Sequence, residues 1–457
     1  MRLLVSITAC LTLFLPAAAS AQSTGFSDVS ILTMTEDGAI AGGHVVVRDG
    51  LIAKVGEGPL PDDFEGTRID GDGAWLMPGI ADMHVHYYAD DMGVLYLANS
   101  TTFVRNLTGS VQTIRRDQAA RDGSLLAPRV ATSGPIIDWG EFRAGDFFIR
   151  VQSTQEAVGA VRAQGRSGFD AVKLYTGLPT ETFTAAVEEA RRQGMRVYSH
   201  VPRSMRVQAV LDLGVDSIEH LDGYARELMA EDFTTDAERP WPIMWANADR
   251  TRFAPLVEAT LEAGTWNVPT FAITYGRIYS ADPEEYFSRP EAIYLPAWAD
   301  YWAASAGQYA ANAPYYEAQL REKGAFTRAL YDAGAGVLIG SDGPNPFVTP
   351  GYAIHDELRG FAAAGFSNEE ILRIATVEAA RFMDMEGRMG VIAEGARADL
   401  ILLRGDPRVD LDVLRGPLGT MVAGHWWDRA AIDAALADRA ERLAEERRET
   451  AGEQASQ

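Results

Sequence analysis

The chain has 457 residues, 64 of them acidic and 41 basic, for a formal charge of −23, with 47% apolar residues and a single cysteine. That length suits a barrel-sized domain plus an appended module, and the apolar content is enough for a large core. The charge argues against a nucleic-acid binder, and the lone Cys10 excludes both a disulfide framework and a cysteine-ligated metal centre.

Residues 1–21 read as a cleavable export signal. Arg2 is followed by an apolar run from Leu3 to Pro16 and by the small-x-small pattern Ala19-Ser20-Ala21, with the cut expected after Ala21. The apolar run is too short for a membrane span. The mature chain is therefore expected in the periplasm or outside the cell, with no membrane attachment.

Residues 22–77 read as short strands and turns. His44–Arg48 and Leu51–Val55 flank Asp49-Gly50, a strong hairpin signal. Strand-like stretches return at Gly390–Ile392, Ala398–Leu403 and Gly419–Trp426. Segments 22–77 and 385–430 are thus expected to build one small β-sandwich module from both ends of the chain.

Between them, residues 78–384 alternate strand-like and helical runs. The strand-like runs are Gly79–His86, Thr101–Leu107, Arg129–Ile137, Ala171–Tyr175, Arg196–Val201, Ser217–Leu221, Trp266–Ile273 and Gly336–Ser341. Ser153 with Glu156, and Ser367 with Glu370, fit helix capping boxes. Gly194, Gly214 and Gly264 stand where a helix must end before the next strand. Eight β-then-α units predict an α/β fold, a (β/α)8 TIM-like barrel. The Tyr- and Trp-rich segment from Tyr275 to Lys323 reads either as a helical roof over the site or as plain helix packing. Residues 431–457 read as an exposed, charged helix with a frayed tail from Thr450.

The chemistry concentrates at the strand ends. In Asp82-Met83-His84-Val85-His86 alternate side chains share a face, so Asp82, His84 and His86 point the same way. Two imidazoles on one face suit a divalent metal or a hydrogen-bonded core pair. His200 and His220 end the fifth and sixth strand-like runs, so four of the seven histidines fall on the face where barrels of this type carry their sites. Lys173 sits among apolar neighbours, a costly place unless it is paired, chemically altered or snorkelling outward. Asp342 follows the eighth run, where an aspartate is also an ordinary turn or cap residue.

Together these residues resemble the amidohydrolase superfamily. The elements that carry the resemblance are DMHVH (82–86), VKLY (172–175), YSH (198–200), IEH (218–220) and IGSD (339–342), supported by TTFVRNL (101–107), APRV (127–130), HDEL (355–358) and EGARADLILL (394–403). The resemblance spans nearly the whole chain after residue 21.

It implies a centre of two divalent metal ions, zinc being the expected element, bridged by a carboxylated lysine and a hydroxide. Carried over, His84, His86 and Asp342 hold one ion, His200 and His220 hold the other, and carboxylated Lys173 bridges both. The hydroxide attacks a substrate carbonyl, and Asp342 takes its proton and passes it to the leaving nitrogen. The imidazolonepropionase-like hydrolases and related dipeptidases are similar in style and point to an amide bond in a small molecule such as a dipeptide or N-acyl amino acid. Many of those relatives carry a histidine in a Gly-rich stretch after the third strand, where this chain has Ile137-Asp138-Trp139-Gly140-Glu141-Phe142-Arg143. Tyr224, Arg143 and Arg203 are candidates for holding a substrate anion, weighed against packing or surface charge.

Three alternatives remain at this point. A mononuclear deaminase or cyclic-amide hydrolase of the same superfamily typically has a glutamate three residues past the fifth-strand histidine, where this chain has Arg203. An esterase or lactonase uses the same attack on an ester. An inactive scaffold would have lost ligands that this chain keeps. His355 reads as structural, His44 and His425 as bystanders in the β module, and a homo-oligomer is compatible with everything above.

Overall fold

The computed structural model describes residues 23–141, 143, 144, 147–229 and 241–455, so the expected export signal lies outside the described residues. In chain order the strands are β1 (Ser23–Leu32), β2 (Ala39–Arg48), β3 (Leu51–Glu57), β4 (Thr67–Asp70), β5 (Trp75–Pro78), β6 (Ile80–Val85), β7 (Thr101–Asn106), β8 (Arg129–Thr132), β9 (Ile136–Trp139), β10 (Arg143–Ala144), β11 (Phe148–Val151), β12 (Ala171–Leu174), β13 (Arg196–Ser199), β14 (Ser217–Glu219), β15 (Trp266–Val268), β16 (Leu400–Leu403), β17 (Gly419–Val422) and β18 (His425–Asp428).

Both chain ends meet in one eight-stranded sheet of order β18-β17-β16-β5-β1-β2-β3, with β4 beside β1. The hairpin at Asp49-Gly50 forms as the dipeptide dictates: both residues adopt positive φ (52° and 76°) between antiparallel β2 and β3. β5 pairs antiparallel with β16, Leu76 opposite Leu402. Phe26, Val45, Leu76, Leu400 and Met421 pack into the core of this sheet, all buried. The strands expected in a sandwich therefore belong to a single hydrogen-bonded sheet.

The middle of the chain supplies parallel strands with intervening helices. β6, β7 and β8 pair in that order, and β11-β9-β12-β13-β14-β15 form a second parallel set with β10 antiparallel at its edge. Ser133, just after β8, bridges to Ala171 of β12. Residues 336–343 form no regular strand, yet they hydrogen-bond on both sides. Leu338 N donates to Asn267 O (2.9 Å), and Met83 N donates to Ile339 O (2.8 Å). The apolar faces of the helices close over this layer. Val161, Phe183, Val187, Val197, Ile218 and Phe326 are each 0–1% exposed, and each such burial is worth roughly 1.5–3 kcal/mol.

Several sequence expectations need correction in detail. The third run is two strands, β8 and β9, because Ser133-Gly134-Pro135 interrupts it and Pro135 has no N–H to donate. The seventh run ends at Val268, and a helix begins at Phe271. Gly390–Ile392 is irregular, with Val391 and Ile392 serving as core of the β module. The C-terminal helix, Arg429–Ala455, is not simply exposed. Ile432, Leu436 and Leu443 are buried, and Arg439 pairs with Asp91. The capping box at Ser367 and Glu370 forms in full, whereas Glu156 accepts from Gln152 N instead of completing its own box.

Candidate active site

The site is built where the parallel strands end. β6 delivers His84 and His86, whose Nε2 atoms lie 3.2 and 2.8 Å from Asp342 Oδ1. The ligand atoms of His84, His86 and Asp342 lie within 4.8 Å of one another. Asp82, on the same face of β6, fastens that strand to the Asp342 segment: its oxygens accept from Ser341 N (2.9 Å) and Ser341 Oγ (2.6 Å). Burial pushes the Asp82 carboxyl up to about 6.

His220 and His200 complete a chain of imidazoles. Ring centroids are 4.8 Å apart for His84 and His220, and 4.7 Å apart for His200 and His220. His220 Nδ1 lies 2.7 Å from Thr270 Oγ1, and that hydroxyl donates its one proton to Pro269 O. Nδ1 must therefore be the donor, which leaves Nε2 of His220 with its lone pair free. His200 Nδ1 lies 2.6 Å from Asp222 Oδ2, close but without hydrogen-bond geometry. Burial drives both His200 and His220 well below the usual imidazole range, so both are neutral, the form that ligates metal. Burial opposes charge on Asp342 too, but His84 and His220 outweigh it and hold the carboxylate well below its ordinary range.

Lys173 is fully buried in β12, and among the described residues its Nζ has no hydrogen-bond partner. Burial lowers its ammonium to about 8. An orphaned amine among imidazoles and a carboxylate is expensive on its own. It fits a side chain that becomes an anionic oxygen ligand and meets a cation.

Backbone strain gathers at the same place. His220 (φ 62°), Thr270 (φ 50°) and Asp342 (φ 59°) all occupy the left-handed region without being glycine. Each costs roughly 1–3 kcal/mol, and for β-branched Thr270 the conformation is a true outlier. Two of these residues, His220 and Asp342, belong to the histidine–carboxylate cluster, and Thr270 is the hydrogen-bond partner of His220.

A group that sequence reasoning passed over lies behind His84. Its Nδ1 is 2.7 Å from Glu219 Oε2, and Glu219 is gripped by Arg105 at 2.9 and 3.0 Å. Arg105 is itself wholly buried, donating to Met83 O and Ser217 Oγ and standing 4.4 Å from the Tyr198 ring. The available signal was a lone charge of each sign inside two strand-like runs, Arg105 in Thr101–Leu107 and Glu219 in Ser217–Leu221, since opposite charges buried in strands need each other.

The substrate-contact expectations fare differently. Tyr224 is buried, its hydroxyl 2.8 Å from Thr260 Oγ1 and its ring 5.1 Å from Phe326, because a helix starts at this residue and turns it into the core. Arg203 is exposed on a loop and lines no cavity of the site. Arg143 pairs through its backbone with Arg150, and its side chain lies outside the described residues. His355 is structural as expected, its Nε2 2.9 Å from Asn99 Oδ1.

Two cavities meet at the site. One, about 520 Å³, is lined by His84, His86, Lys173, His200, His220 and Asp342 and walled by Tyr88, Phe147, Phe148, Trp298, Tyr301 and Trp302. The Tyr275–Lys323 segment thus supplies part of a roof. The other, about 340 Å³, shares His200, His220 and Asp342 and is walled by Trp241, Arg277, Asn312, Tyr316 and Gln319.

Parallel strands carrying a buried cluster of metal-ligating side chains at their ends, with helices between, define a β/α enzyme whose centre is suited to a metal. Residues 75–427 match the Amidohydrolase family, and the chain belongs to that family, hydrolases acting on carbon–nitrogen bonds. Over 139 residues, 28% of this chain and 33% of its relative, it is 30% identical to imidazolonepropionase of Cupriavidus taiwanensis. Among solved structures it resembles bottromycin amidohydrolase (TM-score 0.72, 24% identity, 92% of this chain and 90% of that one). It also resembles a Xaa-Pro dipeptidase with methionine in its active site (TM-score 0.65, 21% identity, 89% and 100%). These two likenesses speak to the fold, a TIM-like barrel. Among the described residues no helix is long and apolar enough to cross a membrane.

Proposed function

We propose that the protein is a binuclear metal-dependent hydrolase that cleaves an amide bond in a small substrate such as a dipeptide or N-acyl amino acid. The observation that carries this reading is Lys173: a buried amine with no hydrogen-bond partner among the described residues, facing the same cavity as four histidines and Asp342. On this reading His84, His86 and Asp342 hold one divalent ion, His200 and His220 hold the second, and carboxylated Lys173 joins them. Zinc suits the nitrogen and oxygen donor set. When bound, the ions lower the pKa of water and polarise a carbonyl.

The chain's own side chains do the rest. Asp342, touching both His84 and His86, is placed to take a proton from the attacking water and deliver it to the leaving nitrogen. Glu219 fixes the ring of His84 and Thr270 that of His220, while Asp222 lies beside His200. The aromatic walls keep bulk water from the reacting bond. The Xaa-Pro dipeptidase and the bottromycin amidohydrolase, by their names, support an amide or peptide bond over an ester.

The reading includes a closed (β/α)8 barrel, the irregular 336–343 segment standing in for its eighth strand by hydrogen-bonding to β15 and β6. It also includes the division into an export signal (1–21), the β module (22–77 with 385–430), the barrel (78–384) and the C-terminal helix (431–457), with the mature enzyme acting in the periplasm or outside the cell.

The test is metal analysis of the purified protein alongside a screen of dipeptides and N-acyl amino acids. Two equivalents of divalent metal with turnover of at least one amide are expected. One equivalent, or none, would remove the binuclear reading, and failure to cleave any amide would remove the substrate class.

A further inference from the structure

The two cavities that share Asp342 differ in chemistry. Tyr88, Phe147, Phe148, Trp298, Tyr301 and Trp302 wall the larger one, and among the described residues its lining holds no arginine and one lysine, Lys173 at the centre. Phe147, Trp298 and Tyr301 are 42%, 44% and 51% exposed, an unusual price in bare aromatic surface unless something flat and apolar covers it. The smaller cavity carries side-chain amides from Asn312 and Gln319, besides Asn345 which borders both cavities, and one guanidinium, Arg277.

Arg277 is half-buried. It donates to Pro346 O at 3.1 Å and stands 4.2 Å from the Tyr309 ring centroid, and it has no carboxylate partner among the described residues. It is the one guanidinium among the described residues that line the two cavities, and it is held in place at the wall of the site. A planar fork of donors fixed by a carbonyl and a ring is preorganised for a carboxylate.

We propose that Arg277 binds the free carboxylate of the substrate, and that the enzyme acts on N-acyl amino acids whose acyl group is aromatic or otherwise flat and apolar. This rests on the amide-hydrolase reading above and assigns its two ends. The acyl group occupies the aromatic cavity and the amino-acid portion the amide-lined one. The carbonyl then lies between them, at the histidines and Asp342 common to both. Water adds to the carbonyl carbon, the C–N bond breaks, and the proton lost by the water goes to the nitrogen. The products are an aromatic carboxylic acid and an amino acid.

The experiment pairs each N-benzoyl amino acid with its carboxamide, identical but for the charge, using the metal-loaded enzyme. A charge-assisted contact predicts that kcat/KM for the acid exceeds that for the carboxamide by about tenfold or more. In Arg277→Met that ratio falls towards one, and in Arg277→Lys it is intermediate. A wild-type enzyme that does not favour the acid, or a preference that survives in Arg277→Met, overturns the proposal.

A second arm needs no turnover. The reduced-amide analogue, an N-benzyl amino acid, is titrated against tryptophan fluorescence, since Trp241, Trp298 and Trp302 all line the cavities. Tighter binding of the acid than of its carboxamide, lost in Arg277→Met, supports the carboxylate site even if no amide is cleaved. That outcome would sink the hydrolytic reading alone. Equal binding of acid and carboxamide sinks the carboxylate site alone.

Discussion

Glu219 Oε2 lies 2.7 Å from His84 Nδ1, in a pocket where neither side chain reaches water. Burial disfavours the charged carboxylate, but Arg105, Lys173 and His84 outweigh it and keep Glu219 ionised. The carboxylate fixes which nitrogen of His84 faces the cavity and raises its basicity. Groups in this relation to a ligating histidine typically contribute 10–100-fold in metal affinity. Glu219→Gln is expected to weaken zinc binding by about that factor, read by competition with a chromogenic chelator. Glu219→Ala strands the Arg105 guanidinium and should cost about 3–5 kcal/mol of stability. Unchanged zinc affinity in Glu219→Gln would show that His84 needs no such support.

Lys173→Met should retain the fold, because an apolar side chain of similar length replaces an amine that has no hydrogen-bond partner among the described residues. Its metal content should fall below that of the wild type. Native mass spectrometry should show the mass of one bound CO2 on the wild type and not on the variant. A variant with full metal content would remove Lys173 from the centre.

Asp342→Asn keeps the shape of the side chain and removes its ability to accept a proton. A drop in kcat of about 10²–10⁴-fold is expected, with the folded state preserved by circular dichroism. A smaller loss would assign proton transfer elsewhere.

Gly340 faces β6 directly. A Cβ there would stand 2.7 Å from His84 Cβ and 2.6 Å from Val268 Cγ1, with His84 backbone nitrogen at 2.9 Å. Gly340→Ala must push β6 outward, costing about 1–3 kcal/mol in packing and displacing His84 from Asp342. Lower thermal stability together with weaker metal binding is the expected pair of effects.

Glu189 ties two barrel helices together, accepting from Arg162 at 3.0 Å and from Arg192 and Gln193. The Arg162 hydrogen bond leads the causes that lower its carboxyl from 4.5 to about 2. For an acid with a depressed folded-state pKa, the stabilisation is present above the unfolded value and is lost as pH falls through the folded one. The contribution should be full above pH 4.5 and gone near pH 2. Because both arginines are largely exposed, it is worth only about 1 kcal/mol. Melting curves of wild type and Glu189→Gln should differ at neutral pH and converge towards pH 2.

Much of the centre was legible because its residues obey simple periodicities. His84 and His86 alternate along a strand-like run, and His200, His220 and Asp342 each stand at or just past the end of one. Lys173 stood out because it interrupts one. What escaped depends on contacts between distant segments. Arg105 and Glu219 lie far apart in the chain, and nothing local to either predicts the other. Tyr224 lies four residues beyond His220 of the site, yet a helix start turns it into the core. Arg277 sits on a helix whose sequence resembles any amphipathic surface, and only the folded chain brings it to the cavity. The run at 336–341 has strand composition but ends in Ser341-Asp342, whose backbone is bent to serve the site.

The pairing of Leu76 with Leu402 has a kinetic side. β5 is made early and waits for β16 until nearly the whole polypeptide has left the ribosome. Until then the four-residue edge strand β5 lacks its antiparallel neighbour and is open to pairing with strands of other molecules. A chain truncated before residue 400 would carry the whole histidine–carboxylate cluster and still present that sticky edge, so a minimal barrel fragment should aggregate rather than work.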